Sequence, residues 1–195
     1  MKRFLSLIVA LVFALVSEAK ITVQLFTHAP VQEYVFTSWG HSELRVLDDD
    51  EGTDVLYSYG VFSFDDVTKF VYNFVKGDTD YTVESKYCSF GGAIDRVTSR
   101  KRVDLRVQTL DLTQEEAKRL KDALEANASQ EGWTYRYNFF YDNCATRPRM
   151  MMENSTGAKF DYQFQNVNRK SYRTIIHEML SDMPWYAFGI DICLG

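Results

Sequence analysis

Asp142-Asn143-Cys144-Ala145-Thr146 is the stretch whose residue types come nearest to a reaction centre. Asp and Asn just ahead of a helix are N-cap residues, which puts Cys144 in the first helical turn. The unpaired backbone N–H groups and the positive dipole end found there stabilise a thiolate. The same N–H groups can hold the oxyanion that develops in acyl transfer. Asn143, and Asn138 upstream of it, are candidate side-chain donors to that oxyanion. A buried structural cysteine behind two ordinary caps is the alternative, and the residues alone leave both readings open. Pro148, inside the expected helix, predicts a first turn that is short or kinked.

A cysteine nucleophile needs a base, and histidine is the usual choice. The chain has three histidines. His41 follows Trp39-Gly40 and opens a short strand, where the preceding glycine permits close approach, so it is the preferred base. His28 lies in a loop before Ala29-Pro30, and His177 falls on the polar flank of the last helix. Each of the three, taken alone, is more often structural than catalytic. A third member, orienting the imidazole, is expected on the adjoining strand. Ser58 is the candidate there and Glu43 the alternative. Three histidines and no CxxC spacing give no expectation of a metal site, and no cofactor is expected either. The chain also lacks a GxSxG elbow, an HExxH helix and a phosphate-binding glycine loop.

These residues must be held by a mixed α/β order in one domain spanning residues 20–195. Ile21–Phe26, Ser42–Leu47, Val55–Gly60, Tyr81–Phe90 and Arg102–Leu110 read as strands. Arg102–Leu110 alternates Val103, Leu105 and Val107 with charged residues, so one of its faces is expected to be wet. Asp48-Asp49-Asp50-Glu51-Gly52 reads as a solvated turn, since it lacks the spaced ligands of a calcium loop. Asp66–Lys76 carries Val67, Phe70, Val71, Phe74 and Val75 at helical spacing and closes on Gly77. Leu112-Thr113-Gln114-Glu115-Glu116 is a capping box that starts a helix ending near Asn127. Ser171–Met183 is the last amphipathic helix expected. Tyr57, Tyr59, Phe62, Phe64, Phe70 and Tyr72 sit at core-like intervals, with the lining of an acyl groove as the other use for them.

The 195 residues carry a formal charge of −5, which gives nucleic acid no electrostatic footprint and anionic lipid no attraction. Met1-Lys2-Arg3, then an apolar run from Phe4 to Val16 broken only by Ser6, then Ser17 and Ala19, has the layout of a signal peptide over residues 1–19. The apolar run is short for a membrane span. The mature chain is therefore expected to be exported. Three cysteines, Cys88, Cys144 and Cys193, leave at least one without a partner in the chain. Phe188 to Gly195 is apolar and reads as a cut rather than a natural terminus.

Ser38-Trp39-Gly40-His41-Ser42-Glu43-Leu44-Arg45-Val46, Val55-Leu56-Tyr57-Ser58-Tyr59-Gly60, and Tyr135 through Arg147 with its Asn143-Cys144 step resemble the bacterial periplasmic domain of the Lnb type. Tyr172-Arg173-Thr174 and Pro184-Trp185 to Gly189-Ile190-Asp191 are similar to its later motifs. The resemblance implies an α+β, circularly permuted papain-like (NlpC-type) cysteine enzyme, with an antiparallel sheet packed against helices. In the permuted order the histidine strand precedes the cysteine helix, as His41 precedes Cys144. It also implies a thiol acyltransferase in the periplasm of a Gram-negative bacterium. A membrane phospholipid would be the acyl donor and a lipoprotein amino terminus the acceptor, with contact at the membrane surface. Relatives of that family continue past the Gly-Ile-Asp segment, so a shortened copy is expected here. A periplasmic cysteine peptidase or amidase acting on cell-wall or other peptides is the enzymatic alternative. A non-catalytic binding or accessory domain is the other.

Overall fold

The computed structural model describes residues 20–32, 35–62, 66–98, 104–130, 133–161 and 170–194. The expected leader, residues 1–19, lies outside them, as does Phe64. β1 (Ile21–His28), β2 (His41–Asp48), β3 (Thr53–Val61) and β4 (Asp80–Cys88) are antiparallel neighbours in chain order. β5 (Leu105–Thr109) adds beside β1, and the short β6 (Tyr135–Arg136) adds beside β4. The sheet order is thus β5-β1-β2-β3-β4-β6. Among the described residues the α-helices are α1 (Val67–Lys76), α2 (Ala93–Thr98), α3 (Gln114–Ser129), α4 (Thr146–Thr156), α5 (Tyr172–Met179) and α6 (Pro184–Leu194). The expected α+β class, with antiparallel strands and helices packed on them, is what the structure has.

The sheet is covered on both faces, and alternation along β2 shows how. Leu44 and Val46 enter the main core with Val23, Tyr57 and Tyr59 of the neighbouring strands and Leu120 and Leu124 of α3. Phe26 and Leu56 leave by the opposite face and meet Ala93 and Val97 of α2 in a smaller cluster. Arg45 shares that second face and is buried too. Its guanidinium donates to both carboxylate oxygens of Asp54, at 2.9 and 2.8 Å, and to Gln24 Oε1 at 2.8 Å. Asp54 also accepts the backbone N–H of Ala93 at 3.2 Å, which fastens the start of α2 to the sheet. A buried ion pair is tolerated only when its remaining donors and acceptors are met, and here they are.

Asp49 to Gly52 form the solvated turn expected of them, and only Asp48 at its start departs from it. Asp48 is buried and accepts the N–H groups of Asp50 and Glu51, at 2.9 and 3.1 Å. The buried ammonium of Lys121 on α3 lies 2.6 Å from Asp48 and 2.6 Å from Glu51, so the acidic run is an anchor for α3.

Local signals fixed several elements where they were read. α1 is capped by Asp66 and ends on Gly77 at φ 69°, and α3 carries both hydrogen bonds of the capping box at Thr113 and Glu116. Others differ. The last amphipathic helix stops at Met179, with Leu180 as its C-cap, and a further helix, α6, begins at Pro184. Proline disfavours helical geometry in the residue before it, which separates the two. Of the expected strand Arg102–Leu110, Arg102 and Val103 lie outside the described residues and β5 covers Leu105–Thr109; Val107 is exposed while Leu105 packs on the smaller cluster. Tyr57 and Tyr59 are core residues, Phe62 and Phe70 pack against the core, and Tyr72 is exposed. No helix among the described residues is long and apolar enough to cross a membrane.

Candidate active site

Cys144 sits two residues ahead of the regular turns of α4. Asn143 Oδ1 accepts the N–H groups of Ala145 and Thr146, at 2.9 and 3.0 Å, and the Arg147 N–H reaches the Asn143 carbonyl at 3.0 Å. That is N-cap bonding, so the turn starts hydrogen-bonding at Cys144 as the sequence suggested. Pro148 has no N–H to offer the carbonyl four residues back, that of Cys144, so the regular helix begins only at Thr146. The short first turn expected from Pro148 has this cause.

The two asparagines read as oxyanion donors are both engaged in shaping this loop. Asn143 Nδ2 donates to the Phe139 carbonyl at 2.9 Å. Asn138 Oδ1 accepts the N–H groups of Phe140 and Tyr141, each at 3.0 Å, while its backbone pairs with that of Asp142. Arg147 clasps Asp142 with two N–H groups and lies 4.2 Å above the Tyr135 ring. Trp39, just ahead of β2, meets Phe139 edge-on at 5.1 Å and so ties the histidine strand to the cysteine loop.

Burial pushes the Cys144 thiol above its ordinary pKa, while the backbone N–H groups of Ser42 and of Cys144 itself pull it down. All three cysteines are free thiols, so no disulfide ties up Cys144. Beside the thiol, β3 bulges between Tyr59 and Val61, and Gly60 takes φ 86°. A Cβ on Gly60 would stand 3.4 Å from Cys144 Cβ and 3.7 Å from the Tyr137 ring. Tyr137 in turn stacks on Tyr81 at 4.1 Å. The wall beside Cys144 is therefore aromatic.

His41 is approached closely, as the glycine before it implied: Gly40 has φ 71°, and a Cβ there would fall 2.6 Å from the His28 carbonyl oxygen. The His41 Nε2 atom is 2.7 Å from Ser58 Oγ and 4.0 Å from Glu43 Oε1. His28 Nε2 is 2.9 Å from Glu43 Oε2, and the two imidazole centroids are 5.8 Å apart. Burial lowers the His41 pKa below its ordinary 6.5, against the opposing pull of Glu43, so the ring is neutral at physiological pH. Burial alone would raise the Glu43 pKa. The hydrogen bond from His28, the nearby His41 and the Ser58 hydroxyl outweigh it and hold the carboxyl below its usual range.

Register brings these four side chains together. β1 and β2 pair His28 with His41, and β2 and β3 pair Glu43 with Ser58. Both residues named for an orienting role, Ser58 and Glu43, thus lie beside His41 Nε2, at 2.7 and 4.0 Å. His28 was read as a lone loop histidine and is instead the last residue of β1. Strand alternation puts His41 on the face of β2 that carries Glu43, whereas α4 contributes Met152 to the core on the opposite face. The backbone N–H of Ser42, next to His41, is near enough to pull the Cys144 pKa down. Among the described residues no hydrogen bond joins Cys144 to His41. His177, exposed on α5, bonds Asp191 at 2.8 Å and takes no part here.

A neutral thiol, a neutral half-buried imidazole with polar side chains behind it, and backbone N–H groups near enough to lower the thiol pKa can support nucleophilic attack on an acyl carbonyl. The thiol proton would then leave as the new bond forms, not from a standing ion pair. The sequence model of one family, described as the Lnb N-terminal periplasmic domain, matches residues 15–178. No curated protein and no solved structure matches the chain.

Proposed function

The chain belongs to the Lnb N-terminal periplasmic domain family, and on that premise we propose that it is an exported thiol acyltransferase. Its place is the periplasm of a Gram-negative bacterium, at the membrane surface, and its fold is the circularly permuted papain-like (NlpC-type) one. Cys144 Sγ attacks the ester carbonyl of a phospholipid while His41 takes the thiol proton, and the Cys144 N–H holds the oxyanion. The acyl–oxygen bond breaks, the proton passes from His41 to the departing lysophospholipid oxygen, and an acyl thioester remains. The amino terminus of a lipoprotein attacks that thioester, its proton passes through His41 to the sulfur, and an N-acyl amide leaves.

The observation that carries this reading is the Cys144 sulfur at a helix start, under its own N–H and that of Ser42, the residue after His41. A lipid donor rather than a peptide is supported by exposed apolar surface. Tyr141 and Tyr172 are exposed around the cysteine loop, and Trp185, Phe188 and Ile192 recur on one side of α6. The test is intact-mass analysis of the protein after exposure to phospholipid vesicles, beside Cys144→Ala and His41→Ala. An acyl mass on Cys144, absent from the first variant and slow to form in the second, is the expected result. Lipoproteins from a deletion strain should in turn lose N-acylation. An accessory domain with an idle thiol is the second reading, favoured by the raised thiol pKa and the missing Cys144–His41 hydrogen bond. An unmodified Cys144 would select it.

A further inference from the structure

Between α3 and β4 the surface opens into a cleft of about 500 Å³ that acyl transfer at Cys144 does not use. Asp122, Glu125, Ala126 and Ser129 line it from α3, at the spacing of one helix face. Ser85 and Tyr87 line it from β4, and Tyr57 of β3, directly opposite Ser85, lies at its base. Tyr57 is 1% exposed, yet its hydroxyl has no hydrogen-bond partner among the described residues. Tyr59, two residues along the same strand, accepts Asn127 Nδ2 at 3.1 Å. A buried phenol ordinarily finds such a partner, so an unmatched one at the base of a cleft points to a group that arrives from outside. We propose that this cleft takes the lysine or arginine side chain of an extended polypeptide. The backbone of that segment pairs with the outer edge of β4, and its cationic head lies between Glu125 and the Tyr57 hydroxyl. This site goes beyond the acyl-transfer reading and does not depend on it.

The positive charge of the occupant follows from the charges around the cleft. Asp122 is matched by Lys118 at 2.8 Å. The Lys121 ammonium is held at 2.6 Å by Asp48 and at 2.6 Å by Glu51, and Glu125 reaches it only at 3.7 Å. Glu125 is therefore the cleft carboxylate with the least counter-charge. An ammonium or guanidinium donates to a carboxylate and to a phenol oxygen alike, so one cation meets both unmatched groups. Tyr87, 67% exposed beside them, gives the same cation a ring to lie against. The polypeptide follows from the strand edge. β6 pairs with β4 only at Asp80 and Tyr81, so residues 82–88 have no strand on their outer side among the described residues. The Thr82 hydroxyl bonds the Trp133 carbonyl at one end of that stretch, and Arg96 lies 3.5 Å from the Tyr87 carbonyl oxygen at the other. The free part is centred on Ser85, which lines the cleft. A strand added there turns every second side chain toward α3, so that main-chain bonds give affinity and the cleft gives selection. A free amine would fill the cleft and leave the edge bare.

The test uses the full chain and a fluorescent heptapeptide of alternating threonine and valine with lysine at its centre, read by anisotropy. Beside it stand the same peptide with norleucine at the centre, two forms N-methylated on one edge or the other, and butylamine as competitor. The lysine peptide should bind, and the norleucine peptide should bind at least about tenfold more weakly, the loss expected with a charge-assisted hydrogen bond. Glu125→Gln and Tyr57→Phe should each weaken the lysine peptide by about the same factor and leave the norleucine peptide unchanged. Tyr57→Phe should not lower the unfolding temperature, since its hydroxyl has no partner to lose, whereas Tyr59→Phe, deprived of its Asn127 bond, should. N-methylation on one edge of the peptide should abolish binding, and on the other it should be tolerated. Amide hydrogen exchange at residues 84–86 should slow in the complex. A lysine peptide that does not bind at millimolar concentration overturns the proposal. Equal binding of the lysine and norleucine peptides, or of the lysine peptide to wild type and Glu125→Gln, overturns the cation site. Binding that survives N-methylation on both edges, or that butylamine matches in strength, overturns the pairing with β4. A fall in unfolding temperature in Tyr57→Phe overturns the unmatched phenol on which the site is built.

Discussion

Asn143→Ala separates a cap from a catalytic donor. In the structure Asn143 Oδ1 accepts two backbone N–H groups at the start of α4, and Nδ2 donates to the Phe139 carbonyl. Losing an N-cap costs about 1 kcal/mol. The Nδ2 hydrogen bond contributes roughly another 1 kcal/mol. The sum, near 2 kcal/mol, should lower the unfolding temperature by about 4–8 °C for a chain of this size. Acylation of Cys144 below that temperature should fall by less than about tenfold, because the Cys144 and Ser42 N–H groups stay in place. A side-chain donor to the oxyanion would behave otherwise: its removal costs about 10²–10³ in rate. Asn143→Asp keeps the acceptor and loses the donor, so it should recover about half of the lost stability. The assays are thermal unfolding and intact-mass kinetics with an activated acyl ester. A hundredfold drop in rate at an unchanged unfolding temperature would refute the cap assignment and return Asn143 to the oxyanion.

Lys121→Met strands the buried Asp48 carboxylate and should cost about 3 kcal/mol, against less than about 0.5 kcal/mol for Lys118→Ala at the exposed pair with Asp122. Chemical denaturation with equal slopes for the two variants measures the difference. Gly60→Ala and Gly77→Ala both force a side chain to positive φ, costing about 1–2 kcal/mol each. Only the first places a methyl against Cys144, so only the first should slow alkylation of that thiol by iodoacetamide. Alkylation of Cys144 in the wild type should be slow at neutral pH and rise above the ordinary thiol range, because burial keeps the sulfur protonated; quantitative reaction at pH 7 would contradict this. Stability should fall as pH drops below 6.5, since the unfolded chain then binds a proton that buried His41 refuses, and denaturation midpoints in His41→Gln should lose that part of the slope.

Where a signal was local, the residues told the structure in advance. Asp66 and Gly77 bracket α1, and Thr113 with Glu116 opens α3, because capping is settled within a few residues. The same holds for Cys144, whose place at a helix start follows from Asn143 alone. His28 could not be read this way. Its partnership with Glu43 depends on the register of β1 against β2, and a connection as long as residues 29–40 does not set that register as a two-residue hairpin would. Arg45 alternates with apolar neighbours as a solvent-facing residue would, and only the packing of α2 on that face makes it internal. α6 escaped notice for the opposite reason. Its residues are almost uniformly apolar, so no period marks a helix, and Pro184 supplies the boundary.

The two ends of the sheet have consequences for self-association. An open strand edge is a template on which a second chain can pair, and exported proteins meet one another before they finish folding. At one end β6 is only two residues long, Tyr135–Arg136, too short to hold a foreign strand in register. At the other, β5 presents Arg106 and Gln108 among its exposed residues, and a charge on the rim resists stacking of like edges. Growth is thereby resisted at the β5 rim, whereas β6 shields only Asp80 and Tyr81 of the nine-residue β4.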